Sequence, residues 1–366
     1  MNKPVGELLT AAATFEAACH VPCLPPTHRA ARLHGHSFLA DIRCAGLDPL
    51  TAAPGTEIDV LQAHIQAVTD PLDHQYLNQY IAQPTDENIA RWIRQKIALT
   101  GTRTVSVQST VDSGVDLDKD DHAHLWRRYR FQAAHQLPHV PVGHKCGRMH
   151  GHGFEVILHV QQAAAGKQLI VDYDELDQHW LPLQKRLNYA CLNDIAGLEN
   201  PTSESLSAWI WSQLKSTLPA LSWVTVYETG SCGAHFDGQH YRIWKDLTLD
   251  SAVRLKRVAA DDPRANIHGH TFTLRLHLHA PLDQVMGWTV DFGDVKAVFD
   301  PIFKQIDHQP LHEIVGDRDA DTRSLAHYIR ELAEPELPQL DRLDLYQTRG
   351  CGVILHWGEL GPALPV

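Results

Sequence analysis

The chain has 366 residues, enough for two or three domains of ordinary size, each with its own core. Its formal net charge of −12 argues against nucleic acid as the main partner, because phosphate binding requires a basic surface. No apolar run reaches the ~20 residues that span a bilayer, and the amino terminus lacks the apolar core of a secretory signal. We therefore expect a cytoplasmic protein with no membrane partner. The 7 cysteines are scattered without a Cys-x-x-Cys pair, which is not the pattern of a disulfide framework.

The same short motifs occur three times in the same order, which indicates an internal triplication. His-Gly-His begins at His34, His150 and His268. Four further landmarks follow each motif in the same order. The first lies at 57–62, 170–176 and 289–296, and the second at 72–78, 187–193 and 306–312. The third lies at 84–93, 201–210 and 320–329, and the fourth at 105–110, 224–229 and 343–348. The sequence therefore predicts three tandem copies, namely copy one (1–121), copy two (122–247) and copy three (248–366).

The local pattern is clearest in copy two. Residues 125–137 and 152–161 are rich in strand formers and enclose a loop that contains proline and glycine. Apolar residues recur at helical spacing from 173 to 187, and Thr202 is predicted to cap a second helix. Residues 221–229 and 238–247 are predicted as two more strands. Each copy is thus an α+β unit of the order ββααββ, too one-sided to bury its sheet alone.

Copy two also contains a candidate metal site. His150 and His152 are separated by one residue, so on a strand both imidazoles face the same way. The preceding strand supplies His135 as a third ligand. Three histidines with an open fourth position are typical of catalytic Zn²⁺, since the open position admits water or substrate. Cys146, on the intervening loop, is a thiolate base beside the metal, a fourth structural ligand, or a loop cysteine without a role.

In combination, these motifs resemble the superfamily of 6-pyruvoyl-tetrahydropterin synthase and 6-carboxytetrahydropterin synthase, whose architecture is the T-fold. The resemblance rests on FQAAH, C-x-x-x-H-G-H, VDYDEL, PTSES and YET, and the pattern covers the chain once per copy. In that family three subunits close a twelve-stranded antiparallel barrel with helices outside. Three fused T-fold units are therefore expected to close one pseudo-trimeric barrel, which leaves no exposed sheet edge. Two barrels stacked face to face, a homodimer, would correspond to the family's hexamer.

The resemblance also assigns site residues in copy two. They are the zinc ligands His135, His150 and His152, the reactive Cys146, and the pterin-anchoring Glu228 with Thr229 beside it.

The other copies have lost parts of this set. Copy one has Cys19 at the position of His135 and Ala30 at that of Cys146, and Gln108 is taken as the counterpart of Glu228. Cys19 with His34 and His36 can still form a zinc site, with His20 as a substitute ligand. Copy three has Val253, Arg264 and Gln347 at these positions, so His268 and His270 are expected to be strand residues only.

Members of the family carry an Asp-His pair, in which the histidine moves protons and the aspartate orients it. Copy one has Asp73–His74 and copy three has Asp307–His308, whereas copy two has Asn188–Tyr189. Active sites of the family lie between neighbouring subunits, so we expect one composite active site per chain, completed by one of the two pairs. The sequence does not decide between them, and a pair that is not used would be a structural hydrogen bond at a helix end.

The short gap in Cys-x-x-x-His-Gly-His resembles the 6-carboxytetrahydropterin synthases of 7-deazaguanine (queuosine precursor) biosynthesis. The resemblance implies a zinc-dependent lyase that converts the small-molecule pterin 7,8-dihydroneopterin triphosphate to 6-carboxy-5,6,7,8-tetrahydropterin. Two alternatives stay open. One is formation of the 6-pyruvoyl product, and the other is a non-catalytic protein that binds a pterin or a purine.

Overall fold

The fold is a closed antiparallel barrel with helices on its outer side. The computed structural model describes residues 4–46, 54–162, 171–283, 286–362 and 364–365. Residue 170, the first of the landmark at 170–176, lies outside them. Copy one contains β1 (Gly6–Cys19), β2 (His34–Cys44), α1 (Glu57–Thr69), β3 (Gln75–Tyr76), α2 (Asp86–Ile97), β4 (Thr102–Thr110) and β5 (Ser113–Asp118). Copy two contains β6 (Ala123–His135), β7 (His150–Gln161), α3 (Tyr173–Leu187), β8 (Ala190–Cys191), α4 (Ser203–Leu214), β9 (Leu221–Thr229) and β10 (Cys232–Phe236). Copy three contains β11 (Tyr241–Val253), β12 (His268–His279), α5 (Phe292–Ile306), α6 (Leu311–Ile314), α7 (Thr322–Ala333), β13 (Leu340–Thr348) and β14 (Cys351–His356).

Twelve long strands of the described residues, four from each copy, follow one another around the barrel. The ring is closed where β14 pairs with β1, from Gly6 opposite His356 to Thr10 opposite Gly352. The short strands β3 and β8 add in parallel to β1 and β6 at the rim. The predicted α+β class, the tandem T-fold units and the twelve-stranded barrel are confirmed. In the described ranges no helix is both long enough and apolar enough to cross a membrane.

Strand alternation separates an apolar outer layer from a polar interior. In β9, Val224 and Val226 are fully buried in the core under the helices. Thr225, between them, points into the barrel, where its hydroxyl contacts Nε2 of His159 at 2.9 Å and Nδ1 of His235 at 2.8 Å. Burial lowers the pKa of His159 to about 3, so the imidazole is neutral there. These side chains fill the barrel, so its interior is a packed core.

Corresponding interior positions of the three copies hold different residues. Nine residues after the start of each His-Gly-His stand Arg43, His159 and His277. On the neighbouring strand of each copy, Ser106, Thr225 and Asp344 occupy corresponding positions. They pair with Asp41, Ile157 and Arg275, respectively. Asp344 accepts two hydrogen bonds of 2.7 Å from the guanidinium of Arg342 within the barrel.

Copy two ends earlier than predicted. Its last strand is the five-residue β10, and the predicted strand at 238–247 is the end of a turn followed by the first half of β11. The sequence of β10, CGAHF, is short and contains glycine and alanine, so it carries little strand signal. The predicted boundary between 121 and 122 lies in the turn between β5 and β6, whereas that between 247 and 248 lies inside β11.

The predicted helices of copy two are confirmed. Helix α3 spans Tyr173–Leu187, the range that the apolar spacing indicated, and Asp172 caps it by accepting the amide of Glu175 at 2.8 Å. Thr202 caps α4 by accepting the amide of Ser205 at 3.1 Å. Each cap satisfies an amide that has no partner within its helix.

Candidate active site

Three histidines and a glutamate converge at one end of β6, β7 and β9. The antiparallel register sets His135 directly opposite His150, and His152 follows two residues later on the same face. The ligand atoms of these three histidines and of Glu228 all lie within 4.8 Å of one another. The structure thus brings the predicted metal ligands together and adds a carboxylate to them.

A β-bulge directs Glu228 toward this cluster. Tyr227 pairs with Gly233 and Thr229 pairs with Cys232, so Glu228 is the extra residue between two paired positions. Gly233 is required there, because a Cβ at this residue would lie 2.0 Å from the carbonyl oxygen of Val226.

The backbone orients the histidine rings. Nδ1 of His135 donates to the carbonyl oxygen of Pro201 at 2.9 Å, and Nδ1 of His150 donates to that of Arg148 at 2.8 Å. Each ring therefore presents Nε2 as the free lone pair, which is the usual arrangement of metal-bound histidine. Nε2 of His135 and Nε2 of His152 are buried without a hydrogen-bond partner. Because such atoms are costly to leave unpaired, the residues fit a bound cation.

Burial favours the neutral form of His135 and His152, which is the form that metal binding needs. Burial is the largest cause that lowers the pKa of His135 and of His152, and the neighbouring imidazoles lower both further. The carboxylate of Glu228 acts in the opposite direction, with Oε1 at 3.5 Å from Nε2 of His152. Neutral imidazoles keep the lone pair with which they bind a metal.

Cys146 lies on a short helical turn beside the cluster. Its amide donates to Nδ1 of His144 at 3.2 Å, and its carbonyl accepts the amide of Leu137 at 2.8 Å. Partial burial, followed by the charge of Glu228, raises the pKa of the Cys146 thiol. A cation bound nearby would oppose this shift. Among the described residues, the group whose ligand atoms lie within 4.8 Å of one another includes Glu228 but not Cys146. This argues against the thiol as the fourth structural ligand.

Copy three covers the pocket of copy two. Asp291 approaches His144, with Oδ2 at 3.2 Å from Nε2, and thereby ties the Cys146 turn to copy three. The amide of Thr289 donates to Oε1 of Glu204 at 2.7 Å. Burial raises the pKa of Glu204 to about 7. The candidate site therefore lies at the junction of copies two and three.

The positions of the Asp-His pairs share one backbone geometry in all three copies, including copy two, where Asn188–Tyr189 stands in place of the pair. Oδ1 of Asp73, of Asn188 and of Asp307 accepts an amide of the neighbouring strand at 2.8, 3.0 and 3.0 Å. The next residue is left-handed each time, with φ of 57° at His74, 59° at Tyr189 and 55° at His308. Asn188 thus preserves the structural hydrogen bond, and the aspartate in the other copies adds a negative charge and a second oxygen that accepts from the histidine ring.

The side chains of the two histidines have no such structural role. His74 and His308 are 77% and 76% exposed, and each ring contacts the aspartate before it through Nδ1, at 2.8 and 2.9 Å. The Asp307 hydrogen bond and charge raise the pKa of His308.

The strand order separates the two pairs. Asp307–His308 lies against β11, which is the neighbour of β10 in copy two, whereas Asp73–His74 lies against β1, which is the neighbour of β14 in copy three. No hydrogen bond among the described residues links either pair to Cys146. The pair in copy three thus belongs to the copy whose first strand adjoins copy two.

Two partners of the predicted residues were not anticipated. The hydroxyl of Ser203 donates to Oε2 of Glu228 at 2.7 Å, and His144 fixes the Cys146 turn. Ser203 stands in the PTSES landmark, so its proximity had a sequence signal. Thr229, in contrast, is engaged in the turn after β9, where its hydroxyl accepts the amide of Ser231 at 3.3 Å.

The assignment of Gln108 as the counterpart of Glu228 is wrong. Gln108 pairs with Gly114, as Tyr227 pairs with Gly233, and the bulged residue of copy one is Ser109. Counted residue by residue, the landmarks VSVQST and VTVYET already place Ser109 at the position of Glu228, so the assignment of Gln108 was one residue off. In a strand, such a slip moves a side chain to the opposite face.

The predicted ligand positions of copies one and three differ in what the structure places there. Cys19, His34 and His36 place their ligand atoms within 4.8 Å of one another. His20 is directed elsewhere, with its Nδ1 at 2.5 Å from the hydroxyl of Tyr76. Val253 in copy three supplies no ligand, and the described residues of that copy contain no comparable cluster.

Sequence comparison places this architecture in a known family. The profile described as 6-pyruvoyl tetrahydropterin synthase matches residues 8–113, 124–239 and 242–356. The chain belongs to this family and is an enzyme of its lyase type, with a function of the tetrahydropterin-synthase class.

Individual relatives match about one copy each. A 6-carboxy-5,6,7,8-tetrahydropterin synthase from Synechocystis sp. is 37% identical over 119 residues, which cover 31% of this chain and 91% of that protein. A dihydroneopterin monophosphate aldolase from Pyrococcus furiosus is 33% identical over 94 residues, which cover 25% and 79%. The solved structure of Caenorhabditis elegans 6-pyruvoyl tetrahydropterin synthase is 21% identical, covers 30% of this chain and 90% of that one, and has a TM-score of 0.28.

Proposed function

We propose that the protein is a zinc-dependent 6-carboxy-5,6,7,8-tetrahydropterin synthase with one composite active site per chain, acting on 7,8-dihydroneopterin triphosphate in the 7-deazaguanine (queuosine) precursor pathway. The observation that carries the proposal is the convergence of His135, His150, His152 and Glu228 beside Cys146. The name of the Synechocystis relative supports the choice of product. In this proposal two barrels stack as a homodimer.

The proposed roles follow from the geometry. Zinc on the three histidines would polarise the side-chain oxygens of the substrate and acidify neighbouring C–H and O–H protons. Because Ser203 donates to Oε2 of Glu228, Oε1 is the oxygen available to the N–H groups of the pterin ring. Cys146 serves as the base that removes the acidified proton, and His144 with Asp291 keeps its turn in place.

The product identifies the reaction. We expect the zinc-loaded protein to convert 7,8-dihydroneopterin triphosphate to a compound with the mass of 6-carboxy-5,6,7,8-tetrahydropterin, as measured by liquid chromatography and mass spectrometry. Triphosphate and the two-carbon remainder of the side chain, an aldehyde, should be released with it. The mass of the 6-pyruvoyl compound would establish the alternative product. Binding of the substrate by zinc-loaded protein without turnover would instead support a non-catalytic pterin-binding protein.

We assign the proton relay to Asp307–His308, because copy three is the copy that contacts the Cys146 turn and adjoins copy two. We expect His308→Ala to lower kcat by about 10²-fold or more, the usual contribution of a positioned acid or base. His74→Ala is the matched control, since His74 has the same backbone geometry and exposure but lies at the junction of copies three and one. Steady-state kinetics of both variants decide the assignment. A loss confined to His74→Ala, or full activity in both variants, would contradict it.

A further inference from the structure

The pocket of copy one retains the components of a ligand site in a different arrangement from copy two. Cys19 ends β1 opposite His34, as His135 ends β6 opposite His150. Sγ of Cys19 is 3.6 Å from Nε2 of His34, and His36 completes a group of three ligand atoms within 4.8 Å. A thiolate with two imidazoles is a donor set that suits Zn²⁺ and similar divalent metals.

The orientation of His34 supports metal binding. Its Nδ1 donates to the carbonyl oxygen of Arg32 at 2.7 Å, which leaves Nε2 with the free lone pair toward Cys19. His150 in copy two is held by the equivalent carbonyl of Arg148. The replacement of His135 by Cys19 thus changes the ligand type while the backbone that presents it is the same.

Copy one also retains a carboxylate, although its bulged strand residue is a serine. Asp86 begins α2 where Ser203 begins α4, and Ser109 occupies the bulge position of Glu228. The hydroxyl of Ser109 donates to Oδ2 of Asp86 at 2.7 Å, the same length as the bond from Ser203 to Glu228. The hydroxyl and the carboxylate have exchanged places between strand and helix, and the hydrogen bond between them is conserved.

A second donor holds Asp86 from the neighbouring copy. The hydroxyl of Tyr173, in copy two, donates to Oδ2 of Asp86 at 2.6 Å. Both hydrogen bonds end on Oδ2, so Oδ1 is the oxygen available to a ligand. Asp86 is 8% exposed, and burying a carboxylate is costly unless a partner compensates it.

These groups line one cavity of about 500 Å³, within the usual range for a small-molecule site. Phe38 contributes an apolar wall, and Tyr173 closes the side toward copy two. Ala30 stands where copy two has Cys146, so the cavity lacks the thiol assigned as the base.

We propose that copy one is a second, non-catalytic ligand site, in which Cys19, His34 and His36 hold a divalent metal and Asp86 binds a planar heterocycle that bears adjacent ring N–H and amino donors. The 2-amino-4-oxo edge shared by pterins and guanine has this chemistry. The proposal does not depend on the reaction assigned to copy two.

Cobalt substitution tests the metal site without measuring turnover. The Co²⁺-loaded chain is expected to bind two metal ions and to show a thiolate-to-cobalt charge-transfer band. Cys19→Ser should remove the band and one metal ion, whereas Cys146→Ala should keep both. A band that survives Cys19→Ser, or a metal content that this substitution leaves unchanged, would overturn the metal assignment.

Equilibrium binding of neopterin and of guanosine tests the heterocycle, in a Glu228→Gln background that weakens the pocket of copy two. One equivalent of at least one probe is expected to bind, and Asp86→Ser should weaken it by about tenfold or more, because a charge-assisted hydrogen bond is lost. The double change Asp86→Ser with Ser109→Glu reproduces the arrangement of copy two and should restore binding. This variant also controls for folding.

The two probes distinguish a pterin ligand from a purine ligand. Binding of neither probe, or binding that is unchanged by Asp86→Ser, would overturn the ligand assignment. Failure of the reaction proposed for copy two would leave both measurements unaffected, so the two proposals can fail separately.

Discussion

Cys146→Ala is expected to reduce turnover of 7,8-dihydroneopterin triphosphate by about 10³-fold or more while leaving the metal content of the chain unchanged. The physical reason is that the thiol is the proposed base but lies outside the group of ligand atoms formed by the histidines and Glu228. Product formation by mass spectrometry and metal analysis by elemental spectroscopy check the two halves of this expectation.

The matched control is Cys23→Ala, which alters an exposed cysteine in the corresponding loop of copy one. It should retain full activity. If Cys146→Ala lost a metal ion together with its activity, the cysteine would be a ligand and its assignment as the base would fail.

His150→Ala is expected to remove the metal of copy two and to reduce kcat/KM by about 10³-fold or more, since the charge that polarises the substrate is lost. The variant is informative because His150 is only partly buried, so its truncation leaves the core intact. Metal stoichiometry should fall by one ion per chain, and the melting temperature without metal should stay close to that of the wild type.

His268→Ala provides the control at the same position of copy three. Its ring is also held by a backbone carbonyl, that of Asn266 at 2.9 Å, but Val253 stands where a third ligand would be. Metal content and activity should be unchanged. An equal loss in both variants would indicate that the His-Gly-His motifs support the strand and not the metal.

The sequence predicts those parts of the molecule that depend on local patterns of residues. The period of the apolar residues set the limits of α3, and the two-residue spacing put His150 and His152 on one face of β7. These predictions succeed because each depends on neighbours within one element. The closed barrel was implied by the resemblance to a family in which three subunits form one barrel, and the triplication supplied the three units.

Contacts between copies follow from barrel register, which no local pattern encodes. The link from His144 to Asp291 joins loops that are far apart in the chain, and its existence depends on which copies are neighbours. The misassignment of Gln108 has a different origin, because the landmarks at 105–110 and 224–229 already align Ser109 with Glu228, and the bulge agrees with that alignment. That error hid the exchange of carboxylate and hydroxyl between Asp86 and Ser109.

The mixed interior of the barrel means that the three copies are not interchangeable. A trimer assembled from copy one alone would bring three Arg43 guanidinium groups into one interior with Asp41 and Asp116 of that copy, but without Asp344 of copy three, which now adds to the stabilisation of that buried charge. A trimer of copy three alone would gather three Asp344 carboxylates in the same place. The copies have become different parts of one core, so deleting, duplicating or reordering a copy would change which charges meet in a space that excludes water.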